Sequence, residues 1–155
     1  MKRILKTRVM AAAVALTATA ALSAAAGAAG TGYIFVSNER VNTVTVIDGE
    51  SFETVKVIET GERPRDMRWN EDKTRLYVAA SGSDRIDVID VSALAVVGSI
   101  EAGEDPEIFQ IDPSGKILVA ANEDDNEISV TDLATGEPIR IVENVGVEPE
   151  GVTFT

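Results

Sequence analysis

A period of 42 residues constrains this chain more than any other feature. Three segments align. Ile34-Phe35-Val36-Ser37-Asn38 leads into Thr43-Val44-Thr45-Val46-Ile47-Asp48, and Leu76-Tyr77-Val78-Ala79-Ala80 leads into Arg85-Ile86-Asp87-Val88-Ile89-Asp90. Ile117-Leu118-Val119-Ala120-Ala121 leads into Glu127-Ile128-Ser129-Val130-Thr131-Asp132 in the same way. Asp48, Asp90 and Asp132 are 42 apart both times, and Pro64, Pro106 and Pro149 are 42 and 43 apart. Gly61, Gly103 and Gly146 keep nearly the same step. Several anchors sharing one period mark a repeat architecture, in which each unit buries its faces against its neighbours.

Each repeat reads as four short strands, here A to D. Glu107 to Ile111 is strand A, and Asp112-Pro113-Ser114-Gly115 is a turn in which proline sets φ and glycine permits a positive φ. Lys116 to Ala121 is strand B, Asn122 to Asn126 a polar loop, Glu127 to Asp132 strand C, and Pro138 to Glu143 strand D. Strand C alternates: Val44 and Val46, like Ile86 and Val88, share a face, with Thr45 and Asp87 on the other. That is the period of two of a β-strand. No segment after residue 30 sustains a helical period. A four-stranded unit of this length predicts an all-β fold, a β-propeller of four-stranded antiparallel blades. From Gly32 the order is B-C-D, A-B-C-D, A-B-C-D, A, about three blades, with units at 32–60, 61–102 and 103–145 and the start of a further blade at 146–155. Glu150 to Thr155 is the last expected strand A. Closed propellers use about 4–8 blades. The expectation is therefore a partial ring: a piece of a longer chain, or copies that close a ring together through their open blade faces.

The first 29 residues read differently. Lys2, Arg3, Lys6 and Arg8 precede an apolar run from Val9 to Leu22, and Ala26-Gly27-Ala28 supplies small residues for cleavage. This is the layout of a secretory signal peptide, in a run too short and Ala-rich for a membrane span. Residues 30–155 are then the mature, secreted or periplasmic part. Loss of those four basic residues takes the formal charge from −12 to −16. So acidic a chain repels nucleic acid and anionic lipid. There is no cysteine and no histidine, so the fold holds without disulfides, and histidine-ligated haem or copper finds no ligand in this chain.

The repeat resembles the YVTN family of β-propellers, whose blades begin with a Tyr-Val-Thr-Asn-like strand. The counterparts are Phe35-Val36-Ser37-Asn38, Tyr77-Val78-Ala79-Ala80 and Leu118-Val119-Ala120-Ala121-Asn122, followed by Val46-Ile47-Asp48, Val88-Ile89-Asp90 and Val130-Thr131-Asp132. A narrower likeness rests on Gly61-Glu62-Arg63-Pro64-Arg65, Asp105-Pro106-Glu107-Ile108-Phe109, Ala121 to Asn126, and Gly146-Val147-Glu148-Pro149-Glu150-Gly151. These look like the periplasmic YVTN propellers associated with catabolism that depends on pyrroloquinoline quinone (PQQ). The resemblance implies an accessory role near quinone-dependent alcohol oxidation. It associates the chain with PQQ without assigning it a bound cofactor. It also implies a full ring longer than 155 residues.

Candidate ligand residues lie at the D–A connections and along strand A, which lines the central channel of a propeller. Arg63, Arg65 and Asp66 fall there in the first full repeat, Glu104, Asp105 and Glu107 in the second, and Glu148 and Glu150 in the third. Arginines there suit a carboxylate or another polar anion. The competing and favoured reading is that they pair with carboxylates of neighbouring blades. Trp69 ends the first strand A, where channel packing is favoured over stacking on a planar quinone. Asn122 to Asn126 offers hard oxygen atoms suited to calcium, but lacks the spacing of a dedicated calcium loop and reads as a solvated turn, so no metal site is assigned. There is no Gly-x-Ser-x-Gly elbow, phosphate loop or zinc signature. The chain thus reads as a binding or scaffolding propeller, not an enzyme, with a periplasmic protein or a small polar ligand as partner. A cofactor-holding domain of a periplasmic redox enzyme and a cell-surface adhesion module are the alternatives. Light scattering on residues 30–155 after gel filtration separates the two origins of the open ring. A discrete oligomer shows that copies close it. A soluble aggregate, or a monomer without a cooperative unfolding transition, shows that further blades are needed.

Overall fold

The computed structural model describes residues 32–155, so the signal-peptide reading of residues 1–29 lies outside the described residues. Eleven strands follow one another: β1 (Tyr33–Asn38), β2 (Thr43–Asp48), β3 (Thr54–Glu59), β4 (Pro64–Trp69), β5 (Arg75–Ala80), β6 (Arg85–Asp90), β7 (Ala95–Glu101), β8 (Pro106–Ile111), β9 (Ile117–Asn122), β10 (Glu127–Asp132) and β11 (Pro138–Val142). They form antiparallel sheets in the orders β1-β2-β3, β4-β5-β6-β7 and β8-β9-β10-β11. These are three blades, the first present as strands B, C and D. The all-β propeller architecture is therefore the observed one. No helix among the described residues is long and apolar enough to cross a membrane.

Two hydrophobic clusters hold the blades together, and each is an interface between sheets. Val44, Val46 and Ile58 of blade 1 meet Leu76, Val78 and Ile89 of blade 2, flanked by Phe35 and Met67. Ala79, Ile86 and Ile100 of blade 2 meet Phe109, Leu118 and Ala120 of blade 3. Alternation explains this use of one strand by two interfaces: in β5, Leu76 and Val78 turn to blade 1, and Tyr77 and Ala79 to blade 3. Blade 2 is thus apolar on both faces. Its fully buried Leu76, Ile86 and Ile89 each contribute roughly 1.5–3 kcal/mol. Ile34 and Val36 of blade 1 occupy the positions of Leu76 and Val78 one period earlier and are exposed.

Three left-handed residues repeat the same clamp at the 42-residue period. Asn42, Asp84 and Asn126 have φ of 56°, 55° and 57°. Asn and Asp tolerate this region best after glycine. Each backbone carbonyl accepts the N–H that opens a D–A connection: Thr60 at 3.0 Å, Ala102 at 3.4 Å and Val145 at 3.2 Å. Each side-chain oxygen accepts a second N–H, from Arg63 at 3.1 Å, Asp105 at 3.1 Å and Glu148 at 2.9 Å. The B–C loop is thereby tied to the connection that leads into the next blade. Gly61 and Gly103 make the approach possible, since a Cβ on them would lie 2.8 Å from Ala80 Cβ and 2.6 Å from Asn122 Nδ2.

Asp48, Asp90 and Asp132 cap the C–D turns. Asp90 Oδ1 accepts from the Ser92 N–H and hydroxyl and from the Ala93 N–H at 2.7–2.9 Å. These bonds hold its pKa down at about 2, and the equivalent bonds lower Asp48 and Asp132.

Two sequence expectations change. Glu150 to Thr155 forms no strand. Strand A takes its ladder from strand B of its own blade, and no such partner for this segment exists among the described residues. Asn122 is not part of a solvated loop: it closes β9, is fully buried, and donates from Nδ2 to Ala102 O at 2.6 Å and Glu104 O at 2.9 Å.

The clamp predicts a graded response at Asp84. Asp84→Ala loses the bond to the Asp105 N–H and puts a Cβ-bearing residue at positive φ without compensation, costing about 2 kcal/mol. Asp84→Gly keeps the backbone at ease and costs about 1 kcal/mol. Urea unfolding midpoints of the two variants give the order.

Candidate functional site

The D–A connections and B–C loops meet at one rim, placed there by the clamps. Arg63 enters it at the mouth of β4, itself left-handed with φ of 53°. Its guanidinium reaches Glu39 of blade 1 at 3.5 Å, and Asp105 and Glu107 of blade 3 at 3.3 and 3.6 Å. Arg65 lies beside it, 3.4 Å from Glu39 and also paired with Glu107. Two arginines of blade 2 therefore staple three blades through three carboxylates. An isolated exposed pair is worth about 0–1 kcal/mol. Here Asp105 and Glu107 are nearly buried, so removing an arginine would leave desolvated charge behind.

Glu107 carries the conflict of the site. Burial pushes its pKa up from 4.5, Arg65 pulls it down, and the neighbouring Glu123 and Asp105 raise it again. Carboxylate oxygens of Asp105, Glu107 and Glu123 lie within 4.8 Å of one another. Such a group would suit a hard cation by ligand type, although Arg63 and Arg65 already neutralise two of its members.

The remaining sequence candidates lie elsewhere. Asp66, one residue along β4, turns the other way. Its carboxylate accepts from Arg68 at 2.8 Å and from the Phe109 N–H at 3.3 Å, and burial still raises its pKa. Trp69 ends β4 at the opposite rim, about 13 Å from Arg65 by strand rise. It meets Phe35 edge-on at 5.3 Å. Glu150 is exposed and outside the ion-pair network. The rim thus gathers Arg63, Arg65 and Glu107 but neither Trp69 nor Glu150. Glu39 and Glu123 were missed as its members. The period carried the signal, since each stands three residues before its clamp, Asn42 or Asn126.

The sequence matches the model of the YNCE-like β-propeller family over residues 8–155. The chain belongs to that family. Among curated proteins none matches significantly. Solved structures similar to this YNCE-like propeller include the hydrazine synthase of Kuenenia stuttgartiensis, with 25% identity and a TM-score of 0.70 over 76% of this chain and 34% of the other. A protein described as a 6-phosphogluconolactonase from Bacteroides fragilis gives 23% identity and 0.61 over 76% and 36%. The dihydro-heme d1 dehydrogenase NirN gives 17% and 0.63 over 77% and 29%. The last two likenesses show the fold alone. The chain spans about a third of the length of these structures.

The raised pKa of Glu107 has a definite sign. Folding takes up a proton as the pH falls through that raised value, so ionised Glu107 costs stability above it, and the cost is gone below 4.5. Glu107→Gln is expected to leave the urea midpoint at neutral pH unchanged or higher, with the difference closing in acid. A lower midpoint at neutral pH would show that the Arg65 pair outweighs burial and crowding.

Proposed function

We propose that this YNCE-like propeller is a secreted, periplasmic scaffolding protein that binds a protein partner and serves PQQ-dependent alcohol catabolism. The observation that carries the reading is the state of the rim. Arg63 and Arg65 are already held by Glu39, Asp105 and Glu107, which leaves little unspent positive charge for a small anion. The same rim of blade 3 exposes Glu104, Asp124, Asp125, Glu143 and Glu148. Repulsion adds to burial in raising Glu127, which feels Asp125, Glu143 and Glu104. A basic protein face relieves that repulsion and is steered by it at long range. The alcohol-catabolic setting rests on the YVTN-like motifs, and secretion rests on the leader-like first 29 residues. A ring completed by further blades is part of the same reading. The sequence has no histidine or cysteine, and the chain by itself is read as non-catalytic.

A second reading draws on the likeness to the hydrazine synthase structure: a propeller domain within a periplasmic redox enzyme. Affinity purification of the tagged full chain from alcohol-grown cells, at low and high salt, distinguishes the two. Salt-sensitive recovery of a quinone-dependent alcohol dehydrogenase or its electron acceptor is expected. A bound redox cofactor in the purified chain would favour the second reading, and salt-insensitive recovery of unrelated proteins would remove the first.

A further inference from the structure

At the rim opposite the ion-pair network, the turns of blade 2 and the start of β1 enclose an open cleft of about 730 Å³. We propose that this cleft binds a small organic anion with a flat ring, an aromatic carboxylate. Tyr33 supplies an aromatic wall and Val91 and Leu94 apolar ones, while Lys73 and Arg75 supply positive charge. Lys73 has no ion pair among the described residues. Arg75 spends Nη1 on Asp90 and on Thr74 O at 3.3 Å, which leaves Nε and Nη2 without partners. Asp72 and Asp90 also border the cleft; both oxygens of Asp90 are taken, whereas Asp72 accepts through Oδ1 alone and keeps Oδ2 open. Asp90 takes Ser92, Ala93 and Arg75, and Asp72 takes the Thr74 N–H at 3.0 Å and its hydroxyl at 2.6 Å. The donors left over are cationic, and a planar carboxylate with an apolar body uses both the donors and the wall.

The repeat supplies an internal control. The same turns of blades 2 and 3 form a smaller cleft of about 440 Å³, bordered by Tyr77, Ile111 and Leu133. One period on, Lys73 becomes Gly115 and Arg75 becomes Ile117. The fold therefore does not require cations at these places. Lys73 has φ of 57° where Gly115 has 70°, so this chain keeps a lysine at a left-handed position where glycine carries no strain. Of these two clefts, only the one between blades 1 and 2 is bordered by cationic side chains.

Titration of the full chain with 2-naphthoate, followed by backbone amide NMR shifts, tests the site. Saturable shifts at Lys73–Arg75 and Val91–Leu94 are expected, with affinity in the millimolar range or tighter. The neutral 2-naphthylmethanol is expected to bind about tenfold more weakly, the loss of one charge-assisted contact. Lys73→Gly, which the turn accepts, is expected to weaken naphthoate binding several-fold, and adding Arg75→Ile to abolish it. Equal affinity for the neutral ring, binding unchanged by Lys73→Gly, or shifts confined to the exposed face around Ile34 and Val36 would each overturn the proposal.

Discussion

Everything in this molecule depends on a sheet being buried on both faces at once. A lone four-stranded blade exposes two apolar surfaces and cannot stand in water. Stacking resolves this, because alternation lets one strand serve two interfaces. The result is seen in β5 and β6, whose side chains divide between the two hydrophobic clusters. Blade 2, with neighbours on both sides, is the complete case. On the outward face of blade 1, Ile34 and Val36 are exposed, whereas their counterparts Leu76 and Val78 in blade 2 and Leu118 and Ala120 in blade 3 are buried.

Packing alone does not say how far each blade is rotated from the last. Local turn chemistry does. Asn42, Asp84 and Asn126 hold the loop of one blade against the connection into the next through a carbonyl and a side-chain oxygen each. The aspartates that end each strand C fold the C–D turns over their own carboxylates. Arg85 and the Gly61 N–H meet on Asp87, which is fully buried at the first interface. Ser129 makes the corresponding link to Ala102 O. Polar groups inside the stack are thus spent on fixing blade position.

The two rims differ as a consequence. On one, the clamps crowd charged residues of three blades together, and arginines and carboxylates satisfy each other. That rim is structural around Arg63 and Arg65 and acidic beyond them. On the other, the turns are short and separate, with a cleft between neighbouring blades. There Lys73 and part of the Arg75 guanidinium keep unspent hydrogen-bond donors. A single strand, β4, connects the two chemistries, with Arg65 near one end and Trp69 at the other.

The 42-residue period, the strand alternation and the turn residues were enough to read the blades, their order and nearly all strand bounds from the sequence. They sufficed because each is local: a strand's faces and a turn's φ values are set within a few residues. Pairing of the rim arginines with neighbouring carboxylates was foreseeable as chemistry, but not in its partners. Glu39, Glu123 and Arg63 come from three different blades, and only stacking brings them to one place. Asn122 read as loop because its polarity is local, whereas its burial comes from Gly103 and the connection that closes over it. Glu150 to Thr155 shows the converse. Its strand-like pattern is written in the sequence, but a strand exists only where a partner's backbone completes the ladder, and that is decided by tertiary structure alone.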